Sequence, residues 1–439
     1  MCSEQTHDYD CIIIGGGISG LTCGIRCQSQ GLSCAIISSG MSALHFSSGS
    51  IDLLGYLAGL DVVQQPFEIL PEFIDRHPDH PYAKCGIDTT RTAFAFFQET
   101  LARQNLHLHT NTPNNHFHVT AFGTLKPTFF SQQSVFSQAI KSAFENHPAI
   151  IIANVRGFKD FHPQLAAANL RKNKLFAGCD ISCAVIDLPE AHEPGVETIR
   201  NMRSIDIARI VDKQENLAIF AQRINATGHQ ADILALPACL GIDHYNRAIL
   251  ELSDQTGMTV YEVPSLPPSI LGMRLDNALK ARFAALGGVF IAGESVTSGR
   301  IQGNRVAYIH TRNQDEDLSA RFYVLASGSF FSRGLASGFE SIKEPVFDLE
   351  VLPGMENTEM ASPAFFSPDS HAFMRAGVKT NARLNPFQKN GEPVTNLFCT
   401  GAVLADYNPV AEASGGGVAI TTGYYAANNI DALVKSLIF

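Results

Sequence analysis

An α/β fold, with a parallel central sheet and a second α/β region inserted into it, is predicted by three features of this 439-residue chain. The run Asp10-Cys-Ile-Ile-Ile14, apolar after its first residue, leads into Gly15-Gly-Gly-Ile-Ser-Gly20, the pattern of a buried strand turning into a helix. Between about residues 145 and 262, apolar strand-like runs alternate with helical material, which implies parallel pairing. A strand over Asn396–Val403 is delivered to a glycine, and Gly415-Gly-Gly-Val-Ala-Ile420 opens a closing helix from Val418 to about Leu437. We therefore expect a Rossmann-like domain made of 1–144 and 263–439, with 145–262 as the inserted α/β region.

The opening motif carries a physical mechanism. Gly15 permits the tight turn, Gly17 lets backbone approach a phosphate, and Gly20 lets the helix pack close to the sheet. Helix-start N–H groups then face the anion, and the helix dipole favours it. The stretch Leu21–Ile25 and a second strand Cys34–Ile37 complete a β-α-β unit. The acidic residue that usually holds an adenosine ribose at the end of the second strand is absent, because Ser38-Ser39-Gly40 stands there. Three explanations remain open: Ser38 and its neighbour hold the ribose by hydroxyl, the ligand carries a ribose 2′-phosphate, or it has no adenosine at all.

Further along, Ser42-Ala-Leu-His-Phe-Ser-Ser-Gly-Ser-Ile-Asp52 is small, polar and suited to bringing backbone donors beside a planar ring. Pro66–Pro81 reads as a surface connection. Arg91–Gln104 reads as an amphipathic helix. Ala149–Ala153, Ile181–Leu188 and Asp232–Leu236 are candidate strands, with helices from Pro163 to about Asn173 and around Ile205–Ile224. Val296–Gln302 and Arg305–Thr311 flank Gly303-Asn304, a hairpin signal. Arg321–Gly328 is a buried strand that ends in small residues.

Composition excludes several classes. With 45% hydrophobic and 17% charged residues, the chain is an ordinary globular protein. A net charge of −10 argues against a nucleic-acid partner, whose phosphates need a cationic surface. We expect no signal peptide, since the first nine residues have no basic region. No uninterrupted run of about 20 apolar residues is available to span a membrane. None of the ten cysteines forms a C-x-x-C pair, so we expect buried reduced thiols and no metal in this chain.

These motifs, in this order, resemble the FAD/NAD-binding flavoproteins, a group that includes fumarate reductase flavoprotein subunits. Ser42–Ser50, His80-Pro-Tyr82, Leu266-Pro-Pro-Ser-Ile-Leu-Gly272 and Val324-Leu-Ala-Ser-Gly-Ser-Phe-Phe-Ser332 more closely resemble the B-subunit family of anaerobic glycerol-3-phosphate dehydrogenases, over essentially the full length. That resemblance implies FMN (with FAD as the alternative), a catalytic A-type partner and an iron–sulfur, membrane-docking C-type partner. It also implies oxidation of sn-glycerol 3-phosphate to dihydroxyacetone phosphate, and electron delivery to quinone with fumarate or nitrate as final acceptor. The expected location is the cytoplasmic face of the inner membrane, peripheral through a partner. Two other readings are a self-sufficient reductase of the fumarate reductase type and a non-catalytic interaction protein.

Site residues follow from combining the motifs with the resemblance. The ligand phosphate is expected over Gly15, Gly17 and Gly20, with Ser38 at the ribose position. Ser47, Ser48 and Gly49 would approach the ring. Gly401, Gly415, Gly416, Gly417 and Val418 would approach it from the other side, where helix-start N–H groups favour negative charge, and Gly328 is a further cofactor-binding candidate. His45 is the candidate proton carrier, weighed against a purely structural histidine. Among Arg200, Arg203, Arg209 and Arg274, we prefer Arg274 for a substrate phosphate, weighed against a solvated or paired role.

Overall fold

The computed structural model describes residues 8–57, 61–189, 201–338, 341–352, 360–365, 367 and 370–438. In chain order, the strands used below are β1 (Tyr9–Ile14), β2 (Cys34–Ser38), β3 (Ala149–Val155), β4 (Asp180–Ile186), β5 (Ile233–Pro237), β6 (Thr259–Val263), β7 (Val289–Ala292), β8 (Val296–Gln302), β9 (Arg305–Thr311), β10 (Ala320–Leu325) and β11 (Leu397–Cys399). The helices are α1 (Ile18–Ser29), α2 (Pro66–Arg76), α3 (Ile87–Ala102), α4 (Pro163–Leu170), α5 (Ser204–Val211), α6 (Gln214–Ala226), α7 (Tyr245–Thr256), α8 (Ile270–Ala285) and α9 (Gly415–Ile438).

The chain divides into two compact units. The first comprises 1–43, 52–105 and 276–439, and the second 44–51 and 106–275. The first carries a five-stranded sheet in the order β7-β2-β1-β10-β11, with every pairing parallel. Cys11 to Ile14 are all buried, which is why β1 reads as a continuous apolar run rather than an alternating one. Helix α1 follows β1 after only three residues and packs along α9. There Arg26 Nε donates to Asn428 Oδ1 at 2.9 Å. The β8–β9 hairpin closes at Gln302↔Arg305, and Gly303 supplies the positive φ its turn requires.

The second unit holds a four-stranded parallel sheet in the order β6-β5-β3-β4, flanked by α4 to α7. Its limits differ from the expected 145–262. Val119, Ala121, Val135, Ile140 and Leu271 join the same buried cluster as Ile150, Ile152, Val155 and Leu234. Burial therefore draws the unit's edges outward on both sides, past residues whose sequence carried no strand period.

The Pro66–Pro81 expectation is also corrected, because α2 occupies most of that segment. Pro66 sits in the first turn, where a missing N–H costs nothing, and Leu70 and Phe73 supply a buried face. No helix among the described residues is long and apolar enough to cross a membrane.

Candidate functional site

Parallel strands in an open sheet expose their carboxyl ends to a crevice, and the first unit places its glycines there. Gly15 has φ +117°, and a Cβ on it would lie 2.2 Å from the Ala326 carbonyl oxygen. A Cβ on Gly20 would lie 2.0 Å from the Gly15 oxygen. Both positions are therefore closed to any side chain by backbone. Gly17 differs: it caps α1 with no side-chain hydrogen bond, and a Cβ there would meet nothing within 4 Å. The first N–H groups of α1, which have no acceptor within the helix, thus open onto free space beside Gly17.

Three hydroxyls around these strand ends have no hydrogen-bond partner among the described residues although they are shielded from solvent. They are Ser19 Oγ in the first turn of α1, Ser327 Oγ after β10 and Thr400 Oγ1 after β11. A buried hydroxyl left unsatisfied costs about 1–3 kcal/mol, so three at one edge call for a polar guest. Ser38, at the end of β2, is committed to the Gly40 carbonyl through its hydroxyl at 3.1 Å. Open space beside helix-start donors, with orphaned hydroxyls around it, fits the phosphate-bearing tail of a flavin.

The other expected residues separate into distinct roles. Gly328 (φ +81°) and Gly401 (φ +71°) are turn glycines, and a Cβ on Gly401 would meet Ser19 Cβ at 2.8 Å. Gly415 and Gly416 begin α9, where helix geometry leaves N–H groups without an internal acceptor. Gly417 and Val418 do not belong with them. Gly417 N–H donates to the Asp52 carbonyl at 2.8 Å, and Val418 N–H donates to the Ser414 carbonyl at 2.9 Å. A Cβ on Gly417 would strike Tyr82 Oη at 2.1 Å, so this glycine serves packing.

Sequence reasoning missed the clasp that holds the start of α9. Tyr82 N–H donates to His80 Nδ1 at 3.0 Å, which places the ring proton on Nε2, 3.2 Å from Glu412 Oε2. Ser414 Oγ donates to the same Oε2 at 2.8 Å, and Asn408 N–H donates to Oε1 at 2.9 Å. Burial alone would raise the Glu412 carboxyl; these bonds more than offset it and hold it below the usual carboxylate range. Gly55 and Tyr56 donate to the Glu412 backbone carbonyl, so the clasp gathers 52–56, 80–82 and 408–414 around the helix start. The His80-Pro-Tyr82 motif was the one sequence signal for it.

Three donors meet two acceptor-only oxygens, and an amide cannot replace them. Either orientation of Glu412→Gln sets its NH₂ against a donor. We expect this variant to lose about 1–3 kcal/mol of stability and to release bound flavin on gel filtration; unchanged unfolding and flavin retention would contradict the clasp.

The second unit contains the remaining candidates. His45 lies in the turn Ala43–Phe46, with its side chain buried and its carbonyl accepting Ser269 N–H at 2.9 Å. Ser47 Oγ donates to the Leu44 carbonyl at 2.9 Å and accepts Gly49 N–H at 3.3 Å. Ser48 Oγ accepts Ser50 N–H at 3.4 Å. Gly49 has φ +71°, and a Cβ there would lie 2.3 Å from Leu271 Cβ, so packing alone accounts for this glycine.

The expectation for Arg274 is corrected. Its side chain is fully buried, with Nη1 2.6 Å from Glu262 Oε2 and Nη2 3.1 Å from Oε1. Nε and Nη2 both donate to the Gly241 carbonyl, and the guanidinium lies over Tyr245. With four of its five N–H groups bonded to protein and the side chain fully buried, Arg274 has no fork to offer a phosphate. Arg203 pairs with Asp206 at the surface, Arg209 is exposed, and Arg200 lies outside the described residues.

Comparison with known proteins places these features in a family. Residues 10–418 match the family described as FAD binding domain. The chain is 36% identical over 435 residues to the B subunit of anaerobic glycerol-3-phosphate dehydrogenase from Aliivibrio fischeri (strain MJ11), covering 96% of this chain and 95% of that protein. It is 37% identical over 438 residues to the protein of the same name from Vibrio vulnificus (strain YJ016), covering 98% of each. A solved structure of 3-ketosteroid delta1-dehydrogenase from Sterolibacterium denitrificans is similar with a TM-score of 0.47 and 12% identity, over 98% of this chain and 100% of that one.

Proposed function

The chain belongs to the B-subunit family of anaerobic glycerol-3-phosphate dehydrogenases and is a flavin-binding oxidoreductase, and from that premise we propose that it is the flavin-bearing chain of a complex oxidising sn-glycerol 3-phosphate to dihydroxyacetone phosphate. The substrate loses two electrons and two protons from its secondary alcohol. The electrons pass to quinone, with fumarate or nitrate as the terminal acceptor. The partners are a catalytic A-type protein and an iron–sulfur C-type protein that docks the pair peripherally on the cytoplasmic face of the inner membrane.

A bound flavin supplies two-electron redox chemistry; this chain supplies position, polarity and exclusion of water. The observation that carries the reading is the free space at Gly17 between helix-start donors and orphaned hydroxyls. Gly15 and Gly20 shape the turn that makes this space. Gly415 and Gly416 offer helix-start N–H groups where negative charge is favoured.

The flavin we propose is FMN, because β2 ends at Ser38, Ser39 follows, and no carboxylate occurs before Asp52 to hold an adenosine ribose. FAD is the second reading, favoured by the family description. Denaturing release of the cofactor followed by mass measurement separates the two.

Gly17→Ala is the variant that tests the site itself. Its Cβ meets no protein atom, so the chain folds, while the methyl occupies the space assigned to the phosphate. We expect the folded variant to lose its flavin absorbance; full occupancy would overturn the assignment. Gly15→Ala is less informative, since a clash with Ala326 disturbs the fold as well.

A further inference from the structure

We infer that Cys11, Cys27 and Cys34 form a buried site for one soft monovalent metal ion, Cu(I). Cys11 in β1 and Cys34 in β2 are register partners of a parallel pair, so their side chains leave the same face of the sheet. Cys27 reaches that face from the last turns of α1. All three residues are buried, and their Sγ atoms lie within 4.8 Å of one another. Among the described residues, this is the one convergence of three or more metal-ligating side chains.

The donor set selects the ion. It contains sulfur alone, which favours Cu(I), zinc or iron–sulfur chemistry over hard cations. Structural zinc is almost always four-coordinate, and the clusters of iron take four thiolates. The Cys23 thiol touches Cys27 but lies outside the group of three sulfurs that converge within 4.8 Å of one another, and three converging sulfurs suit trigonal Cu(I). Three sulfurs around one ion at a metal–sulfur distance of about 2.3 Å would stand about 4.0 Å apart. Closing the site from its present spacing therefore needs shifts below an ångström, within the reach of side-chain torsions.

Binding involves no electron transfer. Copper stays Cu(I), each thiol that coordinates as thiolate releases one proton to solvent, and no bond other than S–H breaks. Three thiolates would leave two negative charges in an apolar core, so the expected yield is two protons per ion. The ion would tie β1, β2 and α1 together and stabilise the first unit by mass action.

The test uses the full-length, flavin-loaded chain under anaerobic conditions. Cys179→Ser and Cys183→Ser are introduced first, because these partly exposed thiols would bind copper at the surface. Cu(I) is then titrated against the chromophoric competitor bicinchoninate. We expect one equivalent to be retained, and a further Cys27→Ala or Cys34→Ala to weaken retention by more than about tenfold. X-ray absorption of the loaded chain, which needs no change at the three cysteines, should give three sulfur neighbours. No retained copper, retention unaffected by Cys27→Ala, or a shell with fewer than three sulfurs would overturn the site.

Discussion

Arg274→Met should destabilise the second unit by about 3–5 kcal/mol, the cost of leaving a buried charge without its partner. Glu262 is fully buried and receives more than the guanidinium. Cys239 and Leu240 donate backbone N–H groups to Oε1 at 3.1 and 2.9 Å, and Ser134 donates to Oε2 at 2.6 Å. Burial alone would raise this carboxyl; the Arg274 charge and these bonds hold it below its ordinary value. Removing Arg274 leaves an anion held by three neutral donors in an apolar surround. Protonation then relieves the strain on the site, so the variant's deficit should shrink as pH falls toward the carboxylate range.

A second substitution sharpens the test. Adding Glu262→Gln to Arg274→Met removes the stranded charge while keeping an acceptor for the backbone donors. The double variant should recover part of the loss, and the two changes should couple by about 1–3 kcal/mol in a double-mutant cycle. Urea midpoints and amide exchange in β6 report it. A phosphate-binding Arg274 predicts the opposite pattern: native stability with weakened substrate affinity. That outcome would refute the structural role.

Arg274 also shows where the sequence stops being legible. The β-α-β opening could be read because its signals are local: apolar run, glycine spacing, apolar helix face and second strand all fall within residues 10–38. The hairpin at Gly303-Asn304 was readable for the same reason. A buried ion pair has no such signature. Glu262 sits inside the apolar strand β6, and Arg274 follows a proline turn that looks exposed. Only the fold sets them face to face.

Distance along the chain hides the rest. The clasp joins His80 to Glu412 across 332 positions, and the three converging sulfurs come from two strands and a helix. Gly417 and Val418 look like anion-facing residues from composition. Their N–H groups are spent on Asp52 and Ser414, which only a backbone accounting reveals. The hydroxyls of Ser19, Ser327 and Thr400 gave no sequence signal either, because serine and threonine are too common to mark a site alone.

Acid should unfold the second unit earlier than carboxylate chemistry alone predicts, through two buried histidines. Burial pushes His118 down to about 3, with the Lys126 charge acting in the same direction. Burial also pushes His116 down to about 3, with His109 adding to it. Both belong to one polar chain: His118 Nδ1 meets Ser50 Oγ at 3.3 Å, Ser50 Oγ meets Ser131 Oγ at 2.9 Å, and His116 Nε2 meets Ser131 Oγ at 2.8 Å. His116 stacks on Phe136 with ring centroids 3.9 Å apart. A folded value below the unfolded 6.5 means the unfolded chain binds protons first. Stability is therefore whole above about 6.5 and falls as pH drops toward 3. At pH 5 the loss is about 2 kcal/mol for each histidine, or about 4 kcal/mol together if the two act independently. His118→Gln keeps a partner for Ser50, and His116→Phe keeps the stack on Phe136, so the double variant removes both titrations with little change in packing. Burial also lowers His109 in this unit, so the variant's urea midpoint should still fall between about pH 7.5 and 5, but clearly less than that of the unaltered chain. Parallel slopes for the two proteins would show that these imidazoles are not buried in their neutral form.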